Sequence, residues 1–409
     1  RLPADDGTVT ISKDSAMTIA PGFEDPHVHF RDPGQTYKES MISGCAAAAS
    51  GGYTNVLIMP NTVPAMDGVK VEAGQPGASE VLDAEYDTVI DYLQHYEAAH
   101  GVKLPVRYDL CVCASKGRAG HEATEVADWI GYLPEHGDEH KDAYQLAHPV
   151  TAISDDGSAV TPSILEQVFE NVKESGLYLI EHCEHHDTGA VNDGPVSRKL
   201  GVPGIPEDTE LKIVERDIDM SRKTGVHVHF QHVSTAISFD AIRKAKAEGL
   251  PITCETAPHY LTFTDEDLQE DGRFKMNPPL RSKEDQQALL EGILDGTVDM
   301  IATDHAPHSA EEKAKGLAGS AMGIVGLETA FPILYTKLVR TGVLPLEKLI
   351  ELMAINPRKR FGFPLREDDF AVWDLNTEYA IDPAQFCSMG KSTPFAGEKV
   401  LRVYSRQYS

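Results

Sequence analysis

The sequence predicts an α/β chain folded as a closed (β/α)8 barrel with a small satellite β-sheet. Three observations lead there. Eight short apolar, β-like runs lie between about residues 18 and 340, helical periodicity fills most of the gaps between them, and weakly alternating patches sit at both ends of the chain. Strands that alternate with helices make a parallel sheet, and eight of them are enough to close it.

The strand runs are 19–29, 54–60, 107–114, 150–155, 176–183, 226–233, 251–257 and 298–304. Helical spacing covers 38–50, 82–100, 162–175, 208–223, 236–248, 283–294 and 326–340. Ser234 stands as a start signal ahead of 236–248, and Thr161-Pro162 offers a cap followed by a first-turn proline. Outside the barrel, 7–18 alternate weakly through Val9 and Ile11. Residues 369–404 hold Phe370-Ala371-Val372-Trp373 and Val400-Leu401-Arg402-Val403, and these patches are expected to pair as one satellite sheet. The expected boundaries are 1–18 and 363–409 for the two parts of that sheet and 19–362 for the barrel. Residues 115–145, rich in Glu, His and Gly, read as a long surface excursion.

Composition narrows the function. The 409 residues carry a net charge of −27, spread along the chain, which opposes nucleic-acid binding. No run approaches the roughly 20 apolar residues that span a bilayer. The chain opens at Arg1 rather than Met, so its true start is expected to lie upstream. The six cysteines form no Cys-x-x-Cys pair and sit mostly in apolar runs, which reads as reduced thiols in a cytoplasmic protein.

The most informative stretch is Asp25-Pro26-His27-Val28-His29-Phe30-Arg31. Two histidines two residues apart on a strand point to the same side and can grip one divalent ion, which suits zinc. Arg31, one step further in the alternation, would face an anionic substrate. A lone His-x-His is weak, and Asp155-Asp156-Gly157 alone would be an ordinary turn. The joint pattern is stronger. His27 and His29, Asp155, His182, His232 and Asp304 fall at the carboxyl ends of strands one, four, five, six and eight, where barrel enzymes gather catalytic groups. Four imidazoles and two carboxylates could hold two metals with Asp155 as the bridge, and a water between them would ionise near neutral pH. His95, His100, His121, His136, His140, His148, His185, His186, His227 and His229 receive no role.

Several blocks carry a resemblance over nearly the whole chain: residues 21–34 around His27 and His29, Met59-Pro60-Asn61-Thr62, Ser154-Asp155-Asp156-Gly157, His182-Cys183-Glu184, His232-Val233-Ser234-Thr235, Lys275 to Arg281, Thr303 to His308, Gly323 to Thr329 and Ser392 to Gly397. On these blocks the chain resembles the bacterial long-chain (class I) dihydroorotases of the amidohydrolase superfamily. The resemblance implies reversible closure of N-carbamoyl-L-aspartate to L-dihydroorotate in pyrimidine synthesis, with one or two Zn2+ per chain. It implies that His27 and His29 bind one zinc and His182 and His232 the other. Asp155 would bridge, and Asp304 would bind metal and move the proton. It also assigns Arg31, Asn61 and His308 to the substrate carboxylate, and Asn277 and the Gly323 backbone to the ring amide. Many relatives carry a carboxylated lysine on strand four. None stands between His148 and Asp155, and Asp155 is similar to the aspartate of the lysine-lacking branch, with Asp156 as the alternative ligand. A homo-oligomer is expected.

Two rival readings remain at this level. A hydantoinase or allantoinase shares the barrel but usually keeps the lysine. A dihydroorotase-like subunit that scaffolds a transcarbamoylase typically loses ligands that are all present here, so that role stands only as an addition to activity.

Overall fold

The computed structural model describes residues 17–134, 147–185, 189–366, 369–375 and 377–401. Eight parallel strands follow one another in chain order: Phe23–Val28, Tyr53–Ile58, Arg107–Cys113, Val150–Ser154, Tyr178–Glu181, Val228–Phe230, Ile252–Thr256 and Met300–Ile301. Each predicted strand run overlaps one of them. The sheet curls until its edges meet. A single parallel bridge joins Val28 to His305, with His29 N donating to the His305 carbonyl at 2.9 Å. Beside it, Thr303 N donates to both carboxylate oxygens of Asp25 at 3.2 Å, so a side chain supplies acceptors where the eighth strand is too short to pair.

Alternation along the strands builds two cores. Leu57, Met59, Cys111, Ala152, Ile180 and Met300 form one buried cluster inside the barrel, closed at its lower end by Phe361 and Phe363. The opposite strand faces pack against the helices in a much larger cluster, through residues such as Val56, Ile58, Val112, Ile153 and Leu179. Helices lie in most predicted intervals, including Met41–Ser50, Leu165–Ser175, Asp208–Thr224, Ala236–Ala247 and Lys283–Asp295. Two start signals were misplaced. Thr235, not Ser234, caps its helix by accepting from Ser238 N, because Ser234 Oγ donates to Glu210. The Leu165–Ser175 helix begins after Ile164 with no side-chain cap, and Thr161 Oγ1 bonds the Gly120 carbonyl instead.

The satellite sheet is present but smaller than expected. Met17–Pro21 pairs antiparallel with Phe370–Asp374, and Trp373 anchors the pair by packing against Phe23 and Phe331 at 5.2 and 4.2 Å between ring centroids. Glu378–Ala380 and Lys399–Leu401 form their own two-stranded piece rather than joining it. The 7–16 part of the expected amino-terminal strand lies outside the described residues, as does 135–145 of the excursion. No helix among the described residues is long and apolar enough to cross a membrane.

Candidate metal centre

His27 lies on the first strand and His29 just past it, while Asp156, His182, His232 and Asp304 follow the ends of strands four, five, six and eight. The backbone works to present them. His232 and Asp304 have φ of 32° and 48°, left-handed conformations that cost side-chain-bearing residues on the order of 1–3 kcal/mol. Phe230 packs in the outer core, so simple alternation would carry His232 outward, and the turn at His232 brings its ring in instead.

Two ligand groups result, His27–His29–Asp156 and Asp156–His182–His232, each with its donor atoms within 4.8 Å of one another and all of them buried. Asp156 Oδ1 lies 3.4 Å from His27 Nε2 and 3.3 Å from His182 Nδ1, and its Oδ2 lies 3.2 Å from His29 Nε2. His182 Nδ1 and His232 Nε2 stand 2.9 Å apart. Asp304 Oδ1 closes the ring at 3.1 Å from His29 Nε2 and 3.5 Å from His27 Nε2.

These residues fit divalent metal. Buried polar atoms normally find partners, yet His27 Nε2 and both Asp156 carboxylate oxygens are buried with no hydrogen-bond partner among the described residues. The electrostatics ask for a cation at the same place. Burial opposes charging His182, but Asp156 and Glu184 outweigh it and lift the ring to about 10. Burial together with the His182 and His27 rings holds His232 down to about 3, as a neutral imidazole suited to ligation. Burial raises the Asp304 carboxyl, but His27 and His29 pull it down to about 2, so it stays ionised.

The carboxylate shared by the two groups is not the one expected. Asp155 does not face the histidines: its Oδ1 accepts from Ser115 N at 3.0 Å and its Oδ2 from Ser115 Oγ at 2.5 Å. Asp156, the alternative left open by the sequence, is the residue shared by both groups. A period-two count would have found it, since Ala152 faces the barrel interior and 154 and 156 follow on the same side.

Behind the ligand atoms lies a layer the sequence reading missed. Glu255 Oε1 is 2.7 Å from His27 Nδ1 and its Oε2 is 3.1 Å from His229 Nε2, whose Nδ1 lies 2.8 Å from Thr253 Oγ1. Such carboxylate–imidazole pairs fix ring orientation and raise ligand basicity. His229 therefore has a supporting place, against the expectation of none. Its signal was the same alternation, which puts 253 and 255 on the inner face. Asn61 Oδ1 accepts from His29 Nδ1 at 2.9 Å, and Asn277 Nδ2 and Glu184 Oε2 lie 3.4 and 3.3 Å from His182 Nε2.

Over the ligands opens a cavity of about 220 Å³. His29, Arg31, Asn61, Asp156, Asn277 and Gly323 are among its lining residues, so four of the five expected substrate contacts converge there. Gly323 has φ 130°, and a Cβ there would stand 2.7 Å from the Ala306 carbonyl oxygen, so only glycine lets this backbone edge the cavity. His308 is placed differently. It stands outside the lining residues, behind Gly323, with its Nε2 donating to the Met322 carbonyl at 2.7 Å.

Comparison with known proteins agrees with this geometry. The model of the amidohydrolase family matches residues 18–378. The dihydroorotase of Brevibacillus brevis is 40% identical over 392 residues, covering 93% of this chain and 83% of that protein. The dihydroorotase of Bacillus caldolyticus is 41% identical over 393 residues, again covering 93% and 83%. Among solved structures, the L-hydantoinase of Arthrobacter aurescens superposes with a TM-score of 0.71 at 24% identity, over 94% of this chain and 82% of that one, a likeness of fold. A barrel with buried His and Asp metal-binding groups and relatives this similar over nearly all its length belongs to the amidohydrolase family, among its dihydroorotases.

Proposed function

We propose that the chain interconverts N-carbamoyl-L-aspartate and L-dihydroorotate, using zinc held by His27, His29, Asp156, His182, His232 and Asp304. The observation that carries this reading is the convergence of Arg31, Asn61, Asn277 and Gly323 on one small cavity directly over the ligand atoms. The substrate keeps one carboxylate untouched through the reaction, and a buried guanidinium beside an amide suits it. Asn277 and the Gly323 backbone line the same cavity, where they can orient the ring amide.

Bound divalent metal would polarise the scissile amide carbonyl and ease ionisation of a water. The chain's own part is positioning and proton movement. Asp304, ionised and at the cavity edge, takes the proton from the attacking water and gives it to the departing ring nitrogen. Ring closure runs the same steps backwards. Asn61 and Glu255 keep the His29 and His27 rings turned toward the centre while this happens.

Treatment with a chelator is expected to abolish turnover of dihydroorotate, and added zinc to restore it at between one and two ions per chain. Bicarbonate is expected to make no difference, because an aspartate stands where relatives form a carboxylated lysine. Full activity in a demonstrably metal-free preparation, or reconstitution that needs bicarbonate, would defeat this reading.

A further inference from the structure

An aspartate that bridges two metals has a short reach, so its backbone must be held where the carboxylate can face both histidine pairs. The structure shows how the start of the 115–145 excursion grips that turn. Ser115 donates from N and Oγ to the two oxygens of Asp155, and its Oγ accepts from Gly120 N at 2.9 Å. Arg118 Nη1 donates to the Asp156 carbonyl at 3.1 Å and lies 3.4 Å from Ser158 Oγ. Ala114 N donates to the Ser154 carbonyl at 3.1 Å, and Asp156 N to Ser154 Oγ at 2.9 Å. The gripping loop is itself pinned, with Gly117 N donating to Asp67 Oδ2 at 2.7 Å and Thr161 Oγ1 bonded to the Gly120 carbonyl.

The distribution of these bonds is the telling point. Each bond made to the turn goes to its backbone, to Ser154, to Ser158 or to the Asp155 carboxylate. None goes to the Asp156 carboxylate, whose two oxygens stay buried with no hydrogen-bond partner among the described residues. Gly157, at φ 88°, makes room for the clamp, since a Cβ there would stand 3.0 Å from Arg118 Nη1. Arg118 itself takes a left-handed conformation, φ 54°, to reach over the turn.

We propose that Arg118 and Ser115 are positioning residues that lock the Asp155-Asp156 turn so that both Asp156 carboxylate oxygens face the two histidine pairs. This rests on the metal centre described above. In this arrangement Asp155 is a handle rather than a ligand, and Ser115 to Gly120 form the brace that lets a short side chain serve as the bridge.

The test is zinc affinity, measured on the full chain by competition with a chromophoric chelator, beside the thermal midpoint of the metal-free protein. Arg118→Met and Ser115→Ala are each expected to weaken zinc binding by roughly 10- to 100-fold, the range seen when residues behind metal ligands are removed. The metal-free midpoint is expected to hold within a few degrees for Arg118→Met, whose side chain is only half-buried. Arg118→Lys, which keeps a donor for the carbonyl, is expected to recover part of the loss. Wild-type zinc affinity in both Arg118→Met and Ser115→Ala would overturn the brace while leaving the metal centre intact. Loss of the metal-free fold in Arg118→Met would make it a folding residue and overturn the proposal too. If the unaltered chain binds no zinc, the metal centre falls and the brace with it.

Discussion

Asp156→Ala is expected to lower kcat/KM for dihydroorotate by at least about 10³-fold, which is roughly 4 kcal/mol of transition-state stabilisation. The size follows from the residue's place in both ligand groups, so one substitution loosens both metal positions together. Removing it also leaves His27, His29 and His182 crowded around a centre stripped of the carboxylate all three approach. Asp155→Asn is expected to fall far less, on the order of tenfold, because an amide can still accept from Ser115 N. Metal content by atomic emission and steady-state rates on the two variants decide the matter. A dead Asp155→Asn beside an active, fully metallated Asp156→Ala would return the bridging role to Asp155.

The second large effect belongs to Arg31. Arg31→Met is expected to keep its zinc and lose about 10²- to 10³-fold in kcat/KM, about 3–4 kcal/mol, the scale of truncating one partner of a buried charge pair. Arg31 is buried at the cavity wall, and burial lowers its guanidinium pKa while the nearby Asp304 and Asp156 raise it. A substrate carboxylate would therefore meet a cation with little competing solvent. The loss should be specific to substrates that carry that carboxylate, so Arg31→Met should act on hydantoin, which lacks it, no worse than the unaltered chain does. An unaltered chain that turns over hydantoin faster than dihydroorotate would refute the carboxylate role and the proposed substrate together.

Much of this was legible before any coordinates. The strands could be read because each is a short apolar run, and five of the eight end in a polar ligand type, as in Leu179-Ile180-Glu181-His182. The histidines could be read because their spacing relates them directly to strand geometry. What escaped notice depended on which strand face a residue occupies or on contacts between distant segments. Choosing between Asp155 and Asp156 needs the inner face of the fourth strand, which Ala152 identifies once the barrel is closed. Glu255 looks like one acidic residue among many until the seventh strand sets it under His27, 228 residues away in sequence. His308 carries the right motif, yet the 308–323 loop folds back and engages its Nε2 with Met322, a contact no local pattern foretells.

The thin join between the first and eighth strands has one more consequence. His27 and His29 stand on one side of it and Asp304 on the other, while among the described residues the join is made by the Val28–His305 backbone bridge and by the Asp25 side chain accepting from Thr303 N. A metal held by these three side chains would act as a rivet across the weakest seam of the cylinder. Loading the site and keeping the barrel shut then become one equilibrium, since whatever binds the closed form alone stabilises it by mass action. Amide hydrogens of His29 and Thr303 should exchange with solvent sooner than those inside the long third strand, and removing metal should widen that gap. On this view the ions hold together the wall they are mounted in, and a chain depleted of them would begin to open at its own active site.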